Sequence, residues 1–234
     1  SPAIVFIDEI DSLCGSRSEG ENESTRRIKT EFLVQMDGVK KGGPEQRVLV
    51  LGATNTPWSL DPAMRRRFEK RIYIPLPEDE ARETMFRHNV GSTPNTLTDA
   101  DFKALAKRTD GFSGADISIA VRTALMEPLR VAQQAKFFKV TPDGMYLPLK
   151  DDPPCPHCPM KLSADKGKSN AGGVQCSHCG AVRISLFDIE SNKLKVPEIT
   201  REDFDHALDH TNPSVAPSEL VRFEEWTKEF GMDA

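Results

Sequence analysis

The sequence predicts an α/β fold: the C-terminal half of a parallel-sheet domain, then a small helical domain carrying an inserted β segment with a zinc ribbon. Three observations predict it. Two short apolar runs, AIVFID at residues 3–8 and VLVLGAT at residues 48–54, flank a helical pattern, as strands of a parallel sheet buried on both faces do. From Pro77 to residue 135 only helical patterns occur. Beyond them, four cysteines stand in two CxxC pairs within a stretch rich in Pro, Gly, Asp and Lys.

Each element has its own signal. Residues 24–37 read as a helix, with Ser24 a candidate cap and Ile28, Phe32, Leu33 and Met36 on one side. Residues 71–75 (RIYIP) read as a third, shorter strand. Ala81, Met85, Phe86 and Val90 recur at helical spacing across 79–90. Thr98 with Asp101, and Ser113 with Asp116, form capping-box starts. Pro128 is expected to kink or end the second of these helices. Met145–Leu149 and Val182–Phe187 are strand-like. Thr200 with Asp203 begins another helix, and Leu220, Phe223, Trp226 and Phe230 mark a last amphipathic one, stopped by Gly231. The expected segments are 1–76 (sheet domain), 77–137 (small helical domain), 138–197 (insertion), 198–216 (its last helix) and 217–234 (C-terminal helix).

Composition excludes some classes. The 234 residues are 38% hydrophobic and 29% charged, within the range of soluble globular proteins. A net charge of −5 argues against bulk nucleic-acid binding. No apolar run approaches the ~20 residues that span a bilayer. The chain opens at Ser1 inside a strand pattern, which predicts a fragment.

In Ile4-Val5-Phe6-Ile7-Asp8-Glu9, an apolar strand delivers two acids to its C-terminal end, where ligands collect in parallel sheets. Asp8 there can hold a Mg²⁺ that bridges nucleotide phosphates, and Glu9 can orient and polarise an attacking water. Alone, the pattern fits any buried strand that ends in acids. The next strand ends in Ala53-Thr54-Asn55, which brings an amide to the same sheet edge. Arg65-Arg66-Arg67 reads either as a solvated basic face or as guanidinium groups that stabilise phosphoryl charge.

The series IVFIDEID, GATN, LDPAMRRRFEKRIYIPLP and GFSGADI resembles the AAA ATPase family, in order and spacing, across residues 1–135. The resemblance implies ATP and Mg²⁺ as cofactors, Asp8 and Glu9 as Walker B acids and Asn55 as sensor 1, and a C-terminal fragment without the phosphate-binding loop, unable to bind ATP productively by itself. It implies Arg66 and Arg67 as arginine fingers offered to a neighbouring subunit, and Gly114 and Ala115 as the approach to the nucleotide base. The segment FIDEIDSLCGSRSEGENESTRRIKTEFLVQMDGV resembles the meiotic, katanin-like branch, where Gly15 to Glu23 would form a second pore loop. Within it, the insertion at 138–197 and the tail from Thr200 resemble the vacuolar-protein-sorting subfamily. That implies a homo-oligomeric, hexameric ring that disassembles ESCRT-III polymers, cytoplasmic and recruited peripherally to endosomal membranes, with a cofactor protein on the β insertion. A microtubule-severing AAA enzyme and a non-catalytic zinc-ribbon adaptor are the competing readings.

Cys155-x2-Cys158 and Cys176-x2-Cys179, seventeen residues apart, match the spacing of a structural Zn²⁺ site. His157 and His178 read as exposed turn residues, because four thiolates already close the shell. Between the pairs, Gly167-Lys168-Ser169 mimics the end of a phosphate loop, but Leu162 stands where its first glycine belongs. Cys14 reads as a small residue near the sheet edge.

Overall fold

The computed structural model describes residues 3–15, 23–41, 48–158 and 175–231. The chain forms two compact units: Ser1–Pro75 with Pro217–Ala234, and Leu76–Ala216. The expected second pore loop lies almost wholly outside the described residues, as does the Gly167-Lys168-Ser169 triplet. No helix among the described residues is long and apolar enough to cross a membrane.

In the first unit, strand β1 (Ala3–Ile7) pairs in parallel with β2 (Val48–Gly52), from Ala3 opposite Val48 to Ile7 opposite Gly52. A parallel pair needs a long crossover. Helices α1 (Ile10–Cys14) and α2 (Glu23–Lys41) supply it, and α3 (Pro62–Arg67) follows β2. Ile10, Cys14, Met36, Leu60 and Met64 form the core, with Phe32 and Leu33 of α2 packed on it. Cys14 is fully buried there, as a small apolar residue would be. A Cβ on Gly52 would crowd the Ile10 side chain at 3.0 Å and the Phe68 ring at 3.2 Å, so either would have to give by a few tenths of an ångström.

Several expectations fail in this unit, each for a physical reason. Ile28 is exposed, off the core face of α2, and Ser24 lies inside that helix instead of capping it. No residue of either strand is fully buried, and only Ile7 and Val50 pack on the core. Ile4, Val5, Phe6 and Leu49 are exposed, because the described residues supply no second layer over this two-stranded sheet. Residues 71–75 form no strand, and Ile72 and Ile74 are exposed. Tyr73 instead stacks on Phe223 of α8 (Pro217–Phe230), 5.9 Å between centroids. Helix α8 therefore belongs with the sheet. Trp58 packs against Phe223 at 5.0 Å, and Arg71 donates to the Phe230 carbonyl at 2.7 Å, which satisfies a C-terminal orphan of α8.

The second unit contains α4 (Asp79–Val90), α5 (Asp99–Arg108), α6 (Gly114–Gln134) and α7 (Arg201–Asp209). The boxes expected at Thr98 and Ser113 form, with the Thr98 and Ser113 N–H groups each 2.9 Å from Asp101 and Asp116 Oδ2. At α7, Asp203 Oδ2 accepts from the Thr200 N–H at 2.7 Å. The four helices bury Phe86, Phe102, Leu105, Ile117, Val121 and Phe204 together. Helix α6 does not end at Pro128. It loses one backbone bond there, but the next turn buries Ala132 and leads directly into the sheet.

That sheet has the order β4–β3–β5, antiparallel throughout, from β3 (Phe137–Val140), β4 (Tyr146–Pro148) and β5 (Ala181–Arg183). The central strand β3 has no counterpart in the sequence reading. Beyond β5 the expected strand gives way to a 3₁₀ turn at Leu186–Asp188, with Ser185 as its cap. Successive side chains of a strand face opposite ways. Phe138 thus enters an apolar cluster with Tyr146, Val182 and Ile184, while Phe137 packs against Cys158 and Cys176.

Candidate functional site

At the end of β1, Asp8 and Glu9 are both exposed, and the Glu9 N–H donates to Asp8 Oδ1 at 2.9 Å. Glu9 adopts a left-handed conformation (φ 48°, ψ 47°), and it is the only non-glycine residue with positive φ among the described residues. Such a conformation is sterically costly for an L-residue and persists where its surroundings enforce it. Here the enforcement is visible. The Ala53 N–H donates to the Ile7 carbonyl at 2.9 Å and the Ile10 N–H to the Ala53 carbonyl at 3.0 Å. These two bonds hold the turn at Asp8–Glu9 beside the turn at Thr54–Asn55, so Asp8, Glu9 and the exposed Asn55 share one sheet edge.

A side chain that sequence reasoning missed locks the two turns together. Asp11 accepts from the Thr54 hydroxyl at Oδ1 and from the Thr56 hydroxyl at Oδ2, the latter at 2.9 Å. The Thr56 N–H in turn donates to Thr54 Oγ1 at 3.0 Å. Donation from Thr54 holds the Asp11 carboxyl below its ordinary range, against the opposing effect of burial and with help from Thr56. The signal was present: one more acid a turn after Asp8, and a threonine on each side of Asn55.

The arginines separate. Asp61 caps α3 by accepting from the Ala63 N–H at 2.7 Å, and Pro62 sits at the first helical position, where its missing N–H costs nothing. Arg66 is exposed. Arg67 is engaged in a two-pronged pair with Asp37, Nε to Oδ1 at 2.9 Å and Nη2 to Oδ2 at 2.7 Å. Arg65 lies over the Phe230 ring at 4.7 Å. In the second unit, Gly114 and Ala115 open α6 behind the Ser113 cap. A Cβ on Gly114 would meet Met85 at an ordinary 3.8 Å, so local packing does not require the glycine.

The four paired cysteines converge. Sulfurs of Cys155 and Cys158, Cys155 and Cys176, and Cys158 and Cys179 are 3.5, 3.7 and 3.4 Å apart, and all four lie within 4.8 Å of one another. A tetrahedral metal with bonds of ~2.3 Å spaces its sulfurs by roughly 3.8 Å, so the set fits. Each CxxC forms a tight turn. The Cys158 N–H reaches the Cys155 carbonyl at 3.1 Å, and Gly180, at φ 75°, reaches the Cys176 carbonyl at 2.9 Å. Backbone N–H groups of Cys179 and His178 draw the Cys176 thiol down to about 6, while burial pushes Cys158 up to about 12. His157 and His178 stack edge to face on each other, 4.9 Å apart and exposed, outside the sulfur cluster.

Comparison with known proteins places these features. Residues 1–76 match the model of the ATPase family associated with various cellular activities (AAA), and residues 99–134 match the AAA+ lid domain. These two stretches are thus similar to an AAA ATPase region and its lid. Residues 175–231 match the Vps4 C terminal oligomerisation domain. The chain is 49% identical over 232 residues to vacuolar protein sorting-associated protein 4B of Mus musculus, covering 99% of this chain and 49% of the relative. To the protein SUPPRESSOR OF K(+) TRANSPORT GROWTH DEFECT 1 of Arabidopsis thaliana it is 46% identical over 236 residues, covering 99% of this chain and 48% of the relative. The chain thus spans about half the length of the curated relatives it matches. The crystal structure of the FIGL-1 AAA domain in complex with ADP aligns with a TM-score of 0.66 at 33% identity, over 98% of this chain and 58% of that one.

The Asp11 lock predicts a pH signature. Because the folded carboxyl is held below the unfolded one, its stabilisation is complete above the ordinary value of 3.8 and is lost as pH falls through the folded value. The stability gap between wild type and Asp11→Asn, measured by urea unfolding with the first-unit tryptophans as reporters, should be widest above about pH 5 and close on acidification. A gap independent of pH would show that the ionised Asp11 does not hold the turns.

Proposed function

We propose that the whole protein hydrolyses ATP as a homo-hexameric ring and uses it to disassemble ESCRT-III polymers, from the cytoplasm and at endosomal membranes. The observation that carries this reading is the match of the entire chain to vacuolar-sorting relatives, including the Vps4 C-terminal domain at residues 175–231. The acidic balance favours protein over nucleic acid as the substrate. The β insertion is the docking site of a cofactor protein.

Asn55 contacts phosphate or water at the shared sheet edge, Asp8 would hold Mg²⁺ there, and Glu9 orients the attacking water and takes up its proton. The exposed carboxylate of Asp8 is an oxygen donor suited to a hard cation, and Mg²⁺, when bound with ATP, neutralises phosphate charge there. Asp8 holds charge, while Glu9, in the left-handed turn directly after it, handles the proton. Arg66, exposed on α3, acts as the arginine finger toward a neighbouring subunit. Arg67 shares that role and is also braced by Asp37. Gly114 and Ala115 approach the base. The four thiols of Cys155, Cys158, Cys176 and Cys179 hold one structural Zn²⁺, whose binding supplies part of the folding energy of a sheet with a small apolar core.

In the complete protein, Glu9→Gln should retain ATP binding and abolish turnover, and Arg66→Ala should lower turnover by ~10³ or more, since arginine fingers contribute about that much. Steady-state hydrolysis with a nucleotide-binding assay decides, and wild-type-like turnover in Glu9→Gln would refute the assignment. Filament disassembly against microtubule severing separates the ESCRT-III reading from its rival.

The metal has its own test. Elemental analysis of the reduced protein should return one equivalent of zinc. Cys176→Ser should lose it and loosen residues 137–199 to hydrogen exchange while leaving exchange in the first unit unchanged. Less than half an equivalent in the wild type would exclude the zinc site.

A further inference from the structure

Four polar or charged side chains are buried among the described residues: Arg82, Thr109, Asp116 and Asp203. Thr109 bonds back to the last turn of α5, and Asp203 serves the start of α7. The other two reach further. The chain passes between the units at two places, after Pro75 and after Ala216. Arg82 and Asp116 each grip the segment beside one of them from within the helical unit.

Arg82, on α4 and 3% exposed, donates from Nη1 to the Pro77 carbonyl at 2.7 Å and from Nε to the Ala106 carbonyl at 2.9 Å. It also pairs with Asp79, and with Asp110 at 3.4 Å. One guanidinium thus fastens the chain just past the first crossing to the end of α5. Asp116, 4% exposed, needs only Ser113 to cap α6. Yet its Oδ2 also accepts from the Ser214 N–H at 3.2 Å and hydroxyl at 3.0 Å, just before the second crossing. Burying a charge is costly, and apolar packing of equal volume commonly stabilises as well or better. What a fully bonded buried charge adds is a fixed direction for each partner.

We propose that Arg82 and Asp116 are positioning residues that pin both chain crossings to the helical unit, so that its movement in the ATPase cycle is passed on through both together. The proposal rests on the ATPase reading above. Pinning at one crossing alone would leave the other free to absorb the motion.

The test uses the complete protein with Ser214→Ala, which removes the latch hydroxyl but keeps the Ser113–Asp116 cap, and Ser214→Thr, which restores a hydroxyl. Arg82→Lys tests the first crossing, since an ammonium cannot reproduce the guanidinium fork. Basal ATP turnover, filament disassembled per ATP, hydrogen exchange at residues 212–216 and the thermal midpoint are read together. In Ser214→Ala, basal turnover should stay within about twofold, exchange should quicken and work per ATP fall by roughly fivefold, the worth of one hydrogen bond. Ser214→Thr should recover both, and Arg82→Lys should lower work per ATP. Ser214→Ala with wild-type work per ATP overturns the proposal. So does a loss that tracks a lowered thermal midpoint and is not recovered by threonine. A wild type that turns over no ATP contradicts the ATPase reading instead.

Discussion

The backbone exchange between Ile7, Ala53 and Ile10 is the constraint on which the candidate nucleotide site depends. It joins the ends of β1 and β2 beyond the last ladder pair and sets Asp8, Glu9 and Asn55 on one edge. The left-handed turn at Glu9 would be unfavourable in isolation. It is held because Ile7, two residues before it, and Ile10, directly after it, are both bonded to Ala53. Asp11 extends the same lock outward to Thr54 and Thr56 on either side of Asn55. Chemistry and support are thus divided: Asp8, Glu9 and Asn55 are exposed, whereas Asp11 is spent on geometry.

The insertion shows a different solution to a small core. Its central strand alternates Phe137 and Phe138 to opposite faces. One face closes on apolar side chains and the other on four cysteines. A sheet of three strands of three or four residues has little area to bury, and the four convergent cysteines pack against its second face.

Local rules made much of this legible. Apolar strands ending in acids, the Thr98 and Ser113 boxes and the CxxC spacing depend on residues close in sequence, and the structure brings each set together. The pairings that brace the sites were not legible. Arg67 reaches Asp37 across 30 residues, Thr54 reaches Asp11 across 43 and Ser214 reaches Asp116 across 98. No periodicity encodes such distances. The overreadings have a common cause as well. Apolar runs at 3–8 and 48–54 read as strands covered on both faces, but burial requires a partner layer, which a run does not disclose.

The most direct measurement is single-turnover ATP hydrolysis by the complete protein carrying Thr54→Val. Valine keeps the shape of the side chain and removes the hydroxyl that Asp11 accepts. If the lock between the turns sets the geometry of Glu9 and Asn55, ATP affinity should stay within about threefold while hydrolysis slows by roughly tenfold or more. An unchanged hydrolysis rate would contradict the account.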